Sequence, residues 1–365
     1  MNFEFSEEQQ FIRDQARNFL NQESTPEVVR SILDTEAPFH RELWNKIVEL
    51  GWTAMVIPEG YGGLGLGYLE LCVIAEELGR ALAPVPFSSS VYLATEAILL
   101  WGSEEQKQEY LPKLAAGELI GTLATAEGPG LLAIEISAKN GTLNGSKLPV
   151  PDGDIADFAV VIANNDSGQQ AAYLVDLNGT GVSRKPLNSI DPSRSQARID
   201  FEGASATPLG EAHSVDQLDT LLDKAAVLFA FEQIGGCQAA MESGINYTKE
   251  RYAFGRPVAS FQAIKHKFAD MFVAIELAKS NAYYGAWALS TNAPDLPLAA
   301  ATARVSATDA YYLVSKENIQ AQGGMGFTWE FDCHLYYRRA QLLSSTIGAQ
   351  PQWKDALASR LLSAA

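Results

Sequence analysis

Apolar residues recur three and four positions apart through most of the first 115 residues, the spacing of helices that bury one face. Ser6 and Gln9 form a capping box, and Phe11, Ile12, Ala16, Phe19 and Leu20 behind it read as one apolar face. Thr25-Pro26 opens a short second helix, with proline where its missing N–H costs nothing. Leu43, Trp44, Ile47 and Val48 line a third, which Gly51 ends. The run 57–67 holds too many glycines for a regular element and reads as a loop. Helices follow over 69–82 and about 91–100, and Ser103 with Gln106 caps another that ends near Ala116.

From about 119 to 209 the texture changes to short β-prone runs, at 120–126, 132–138, 157–162, 171–175 and 196–201, alternating with turns. Asn140-Gly141 and Asn144-Gly145 are hairpin signals. A small antiparallel β unit is the natural reading. Ser214 with Gln217 is a third capping box. The helix behind it carries Leu218, Leu221, Leu222, Ala225, Val227, Leu228, Phe229 and Phe231, apolar nearly all round, as in a bundle. Long helices follow at 261–289 and 298–316, then shorter ones at 332–344 and 352–362. The expected fold class is α+β and mostly helical: an N-terminal helical domain (1–117), a small central β-barrel-like domain (118–212) and a C-terminal four-helix-bundle domain (213–365). No internal repeat interrupts this order.

Composition works by exclusion. With 44 acidic against 27 basic residues and a net charge of −17, the chain is a poor partner for nucleic acid or an anionic membrane. No apolar run is long enough to span a bilayer, and the start lacks the basic and apolar regions of a signal peptide. Three scattered cysteines, Cys72, Cys237 and Cys333, point to a reduced, cytoplasmic setting. No His/Cys/Asp/Glu group has metal spacing, and Gly-x-Ser-x-Gly is absent. The glycine loop at 57–67 has no Gly-x-x-x-x-Gly-Lys and no preceding strand, so it reads as a turn between packed helices.

Two stretches carry chemistry. In the first, Gln320 precedes Gly323, Gly324, Gly326 and Phe327. Adjacent glycines permit a turn and close approach by a ligand, although alone they read as a helix C-cap. In the second, the guanidinium of Arg251 can grip a pyrophosphate with paired donors, Phe254 offers an apolar plate and Gln262 an amide. Together they resemble the acyl-CoA dehydrogenase family. Arg251, Phe254, Gly255 and Gln262 match its arginine-x-x-phenylalanine-glycine with a glutamine eleven residues after the arginine. Gln320, Gly323, Gly324, Gly326 and Phe327 match its glutamine-x-x-Gly-Gly-x-Gly-aromatic run. Pro58, Glu59, Tyr61, Gly62 and Gly63 match a Pro-Glu-x-Tyr-Gly-Gly loop, and the element order is the family's throughout. The run 326–340, with Val150-Pro151-Asp152-Gly153 and Asp191-Pro192-Ser193-Arg194, is most like bacterial steroid-degrading members that pair two unlike chains as α2β2. The resemblance implies FAD, with its ADP half held by Arg251, Phe254, Gln262, Gln320, Gly323 and Gly324 and its flavin ring in a neighbouring subunit. It also implies an acyl-CoA substrate, bulky and of steroid side-chain type, and an electron-transfer flavoprotein as acceptor.

In that family a carboxylate removes the α-proton of the acyl-CoA while hydride passes from the β-carbon to the flavin; a desolvated glutamate suits the task. Its position, in a Tyr-Glu-Gly-Thr turn, falls here on Ile347 of Thr346-Ile347-Gly348-Ala349. The position used by other relatives, early in the first bundle helix, falls on Ala225; Asp223 would face another side of that helix. The flavin-side Thr-Glu-Pro…Gly-Ser-Asp loop becomes Thr125-Ala126-Glu127-Gly128-Pro129-Gly130-Leu131-Leu132: Glu127 is retained, Ala126 replaces a threonine, and Gly-Ser-Asp is lost. Asn144-Gly145-Ser146-Lys147 matches the family's Asn-Gly-x-Lys, but the Trp-Ile-Thr/Ser after it becomes Leu148-Pro149-Val150-Pro151, whose prolines limit strand pairing. The expectation is a subunit with no catalytic residue of its own that completes a homologous partner's site. Two alternatives stand beside it: a self-sufficient homotetrameric dehydrogenase, or related oxidase or monooxygenase, with an unusual base; and a cofactor-free scaffold subunit. Asp270 reads as a salt-bridge residue, and His266 and His334 as core or interface. Arg338-Arg339 reads as a CoA-phosphate contact, a solvated helix end or a subunit salt bridge. Tyr283, Tyr284 and Trp287 read as bundle packing.

Overall fold

The computed structural model describes residues 5–35, 37–128, 134–210 and 216–364. They fall into two compact units, one of Met1–Val29, Tyr68–Ala83 and Ala226–Ala365, the other of Arg30–Gly67 and Pro84–Ala225. The fold is mostly helical with a curled half-barrel sheet, the class that the order of elements predicts.

The first unit is helical. It holds α1 (Glu7–Glu23), α4 (Tyr68–Arg80), most of α7 (Asp216–Glu250), α8 (Gln262–Ser290), α9 (Leu296–Gln322), α10 (Cys333–Leu343) and α11 (Gln350–Ala364). The first capping box forms as expected: Gln9 N donates to Ser6 Oγ at 3.2 Å and Ser6 N to Gln9 Oε1 at 2.9 Å. Ala16 and Leu20 are buried, but Phe11 is 64% exposed. Nine residues at 3.6 per turn put Phe11 on the side of α1 opposite Leu20, so the expected single face was drawn too wide.

The closest packing is where α4 crosses α7. A Cβ on Gly79 would lie 1.9 Å from the Glu232 carbonyl oxygen, and one on Gly235 1.8 Å from that of Glu76. Backbone meets backbone at both points, and only glycine fits. Buried charges gather around the crossing. Arg17 forks Glu77 at 2.6 and 2.9 Å, and Arg13 lies 3.6 Å from Glu76. Arg339 lies 3.7 Å from Glu232 and donates to the Leu82 carbonyl at 3.2 Å. Arg339 is 1% exposed, which corrects its expected place at a solvated end or subunit contact. Burial pushes the Glu76 carboxyl up, opposed by Arg13. The bundle aromatics pack as expected: Phe231 stacks on Tyr283 and Tyr284 on Trp287, each at 5.7 Å.

α7 buries apolar residues on several sides, Leu221, Ala225, Val227, Leu228, Phe229 and Phe231 among them, together with the charged Asp223, Lys224 and Glu232; the third capping box lies outside the described residues. α9 runs to Gln322 rather than stopping near 316, because Asn318 and Ala321 continue its buried side. Gly323, at φ 63°, then ends it.

α2 (Pro26–Leu33) leads into the second unit, with proline at its start as expected. That unit contains α3 (Arg41–Glu49), α5 (Glu96–Trp101), α6 (Glu104–Ala115) and eight strands. The glycine loop is a packed turn: a Cβ on Gly63 would sit 1.9 Å from the Ile57 carbonyl oxygen. A π-helix, Ser88–Thr95, runs into α5 where one ordinary helix was expected. The strands are β1 (Gly121–Ala124), β2 (Ser137–Lys139), β3 (Thr142–Pro151), β4 (Phe158–Asn164), β5 (Gln170–Asp176), β6 (Val182–Pro186), β7 (Gln196–Ser205) and β8 (Thr207–Pro208). They follow the order β6-β7-β3-β2-β4-β5-β8, with β1 beside β4. β1 and β2 pair with β4 in parallel, so the sheet is not wholly antiparallel.

Asn140-Gly141 makes the turn between β2 and β3, but Asn144-Gly145 lies inside β3. There Asn144 Oδ1 accepts from Gly203 N of β7 at 2.8 Å, beside a register shift. A second shift, between Lys147 and Val150, falls on the expected proline disruption. β6 escaped notice because it is polar and largely exposed.

Replacing Gly235 with Ala puts a methyl into the Glu76 carbonyl. Overpacking of this kind costs about 1–3 kcal/mol. Denaturant unfolding should show a lower midpoint at unchanged slope, whereas Gly141→Ala, in open space at a positive φ, should lose less.

Candidate cofactor site

In the helical unit the two motif stretches lie at one end of the long helices. Gly244 near the end of α7 faces Asn318 of α9 and Phe268 of α8, with Cβ distances of 2.7 and 3.1 Å. The Phe331 ring packs edge-on against Tyr247 at 5.4 Å. The stretch after α9 is thereby fixed beside the stretch after α7.

α7 hands over to a tight hairpin of β9 (Tyr252–Ala253) and β10 (Arg256–Pro257). Phe254 (φ 51°) and Gly255 (φ 78°) are its two turn residues, both left-handed as a type I′ turn requires. Glycine suits that geometry; phenylalanine does not. The Phe254 ring is also 96% exposed. Neither packing nor turn chemistry accounts for it. Arg251, Gln262 at the start of α8, and Gln320 in the last turn of α9 are all exposed. Among the described residues no carboxylate pairs with Arg251. A Cβ on Gly323 or Gly324 would meet nothing within 4 Å. The positive φ accounts for Gly323, but nothing within the chain requires glycine at 324. These six residues therefore form an open surface of one guanidinium, one ring, two amides and bare backbone. Such a surface fits an adenosine diphosphate: a fork for phosphate and a plate for a base. Sequence reasoning passed over the neighbouring exposed rings Tyr252 (63%) and Trp329 (48%). Isolated aromatics in loops carry no periodic signal.

The flavin-side positions lie in the second unit. Leu148 N donates to the Ala126 carbonyl at 2.9 Å, which sets Ala126 beside Pro149. Neither offers a hydroxyl or a flat aromatic face. Pro129 to Leu132 lie outside the described residues. Glu127 and Lys147 have an internal role: Glu127 Oε1 accepts from Lys147 Nζ at 2.6 Å, and Oε2 from the backbone N–H groups of Glu135 (2.8 Å) and Ile136 (3.2 Å). Lys147 Nζ also donates to the Thr125 carbonyl at 3.0 Å. Burial brings the Lys147 ammonium down to about 8, against the pull of Glu127.

Ile347 is 7% exposed, its carbonyl accepting from Trp353 Nε1 at 3.0 Å. Ala225 is fully buried. Beside it in sequence, Lys224 pairs with Glu96 at 2.6 Å, and Asp223 is buried. Asp270 is exposed and makes no salt bridge among the described residues, contrary to expectation. His266 is exposed, whereas His334 stacks on Trp329 at 4.6 Å, with the Arg338 guanidinium 5.4 Å from the same ring. Among the described residues no His/Cys/Asp/Glu group could hold a metal. No helix there is long and apolar enough to cross a membrane, and the three cysteines are buried and free.

The chain matches the acyl-CoA dehydrogenase N-terminal domain over residues 6–118 and the acyl-CoA dehydrogenase C-terminal domain over residues 216–362. Acyl-CoA dehydrogenase IpdE2 of Mycobacterium tuberculosis is 33% identical, over 93% of this chain and 94% of that protein. Two solved structures share the fold. One is a variant of the Tcur3481-Tcur3483 steroid ACAD (TM-score 0.89, 28% identity, 98% of each chain). The other is the ChsE4-ChsE5 complex from Mycobacterium tuberculosis (TM-score 0.91, 26% identity, 99% of each chain). The chain belongs to the acyl-CoA dehydrogenase family, a family of FAD-dependent oxidoreductases.

Lys147→Met leaves Glu127 as a buried charge without its cation. Breaking a buried pair costs about 3–5 kcal/mol, to be read by denaturant unfolding at pH 7. Because the folded-state value for Lys147 is depressed to about 8, the unfolded chain binds more protons between there and the ordinary lysine value of about 10.4. The stability of wild type relative to Lys147→Met should therefore rise as pH climbs through 8 towards 10.

Proposed function

We propose that this chain is the subunit of a FAD-dependent acyl-CoA dehydrogenase that holds the ADP half of the cofactor for a homologous partner. One contrast carries the reading. The open surface of Arg251, Phe254, Gln262, Gln320, Gly323 and Gly324 is intact, while both base positions are apolar and buried, at Ile347 and Ala225. FAD, when bound, accepts the hydride. In this chain Ala126 and Pro149 give its ring neither hydroxyl nor aromatic support, and no carboxylate stands at either base position. The partner supplies the ring pocket and the glutamate. This chain's residues bind and orient: Arg251 takes phosphate, Phe254 covers one side, and the two amides and bare glycine backbone fix the rest.

An α2β2 assembly, a cytoplasmic setting and an electron-transfer flavoprotein as acceptor complete the proposal, together with the three-domain division at 117 and 212. A bulky substrate of steroid side-chain type is supported by the likeness to a steroid ACAD.

Co-expression with a homologous chain tests this. A heterotetramer should retain one FAD per two chains, by absorbance and native mass, while the purified chain alone should neither retain FAD stoichiometrically nor oxidise an acyl-CoA. Arg251→Ala should weaken FAD retention in the complex by about 10- to 100-fold, the worth of a charge-assisted hydrogen bond. A yellow, active homotetramer would overturn the reading. An unchanged FAD content in Arg251→Ala would favour a cofactor-free scaffold.

A further inference from the structure

The hairpin after α7 carries a second guanidinium on the face of the first. Its register pairs Ala253 with Arg256 and Tyr252 with Pro257. Val258 N donates to the Arg251 carbonyl at 2.8 Å, which extends the pairing by one residue. Opposed residues share a face, and faces alternate along each strand. Arg251, Ala253, Arg256 and Val258 therefore lie on one face, with Tyr252 and Pro257 on the other. Arg251 and Arg256 are diagonal neighbours, a relation that spans about 7–8 Å. Only apolar side chains, those of Ala253 and Val258, share the face with them.

The Arg256 guanidinium is held over the Phe261 ring at 4.0 Å, and Phe254 meets the same ring edge-on at 6.3 Å. Both arginines are exposed, and neither has a carboxylate partner among the described residues. Elsewhere in this chain of net charge −17, Arg17, Arg80, Arg194, Arg198 and Arg339 each lie beside an acidic side chain. Two neighbouring cations left without one repel each other until a polyvalent anion arrives.

We propose that Arg256 joins Arg251 in a two-arginine clamp, one fork to each phosphate of an adenylate diphosphate, with Phe254 at the turn beside it. This rests on the reading above and extends it from one phosphate-binding residue to two. FAD and coenzyme A both contain that diphosphate. The clamp is assigned to FAD, because Phe331, in the segment that follows Gly323 and Gly324, packs on Tyr247, whose carbonyl accepts from Arg251 N one turn on. Recognition of a diphosphate by two forks would favour the dinucleotide over FMN, which carries a single phosphate.

The test uses the co-expressed complex bearing Arg256→Gln, Arg256→Lys or Arg251→Ala, each first checked for wild-type melting temperature and assembly. FAD retention is measured across a range of salt concentrations, and acyl-CoA binding by titration. Arg256→Gln should weaken FAD binding by about 10- to 100-fold and flatten its salt dependence. Arg256→Lys should recover part of the loss, and acyl-CoA affinity should stay unchanged. If Arg251→Ala loses FAD and Arg256→Gln does not, the clamp is wrong and the reading it rests on stands. If Arg256→Gln weakens acyl-CoA binding instead, the diphosphate is that of coenzyme A and the assignment to FAD is overturned. If neither variant changes FAD retention, the cofactor-holding role falls with it.

Discussion

The crossing of α4 and α7 is the constraint on which the helical unit depends. Two carbonyl oxygens occupy the space where the Cβ atoms of Gly79 and Gly235 would be. Contact this close fixes a helix of 35 residues at a point near its middle. It also draws the carboxylates of Glu76, Glu77 and Glu232 out of water. Buried charges survive only when paired, so Arg13, Arg17 and Arg339 converge on the same place from α1 and α10. The result is a stiff rod. Its far end carries Arg251 and the hairpin, which gives the proposed cofactor surface a firmer support than a free loop would.

The residues singled out by the sequence sort by what they do for this chain alone. Glu127 and Lys147 serve the fold: their hydrogen bonds tie Thr125, Glu135 and Ile136 together inside the β unit. Stability accounts for them. It does not account for Phe254, which holds a left-handed conformation while almost wholly in water. A strained residue of this kind costs about 1–3 kcal/mol, and no internal contact of matching size offsets it. Nor does stability account for a glycine at 324 with open space around it. Both features burden the isolated chain, and the proposed function gives them a use.

How much the sequence discloses depends on the range of the deciding interaction. The capping boxes at Ser6 and Ser103 were legible because the hydrogen bonds that make them span three residues. Asn140-Gly141 and Asn144-Gly145 look alike locally, yet one turns the chain and the other runs through a strand. Gly203, 59 residues away, decides between them by donating to Asn144. The pair of Lys224 and Glu96, 128 residues apart, was illegible for the same reason, although charges set inside apolar runs were a hint. The candidate cofactor surface follows from motif spacing. Its exposure, the strain at Phe254 and the shared face of the two arginines emerge only once register and solvent are known.

Large exposed apolar groups on a folded chain mark places where another molecule fits. Tyr252, Phe254, Phe327 and Trp329 leave 48–96% of their surface in water in the segments that follow α7 and α9. On α8, downstream of Gln262, Val273 and Leu277 are 56% and 62% exposed, one turn apart, with Phe272 beside them. A cofactor's adenosine half would cover the first group but is too small to cover the row on α8 as well. On the proposed function, a homologous partner chain is a body of sufficient size. Its approach along α8 would place its cofactor's tail where α7 and α9 end, so the requirement to cover apolar helix surface and the requirement to complete a site are met by one association.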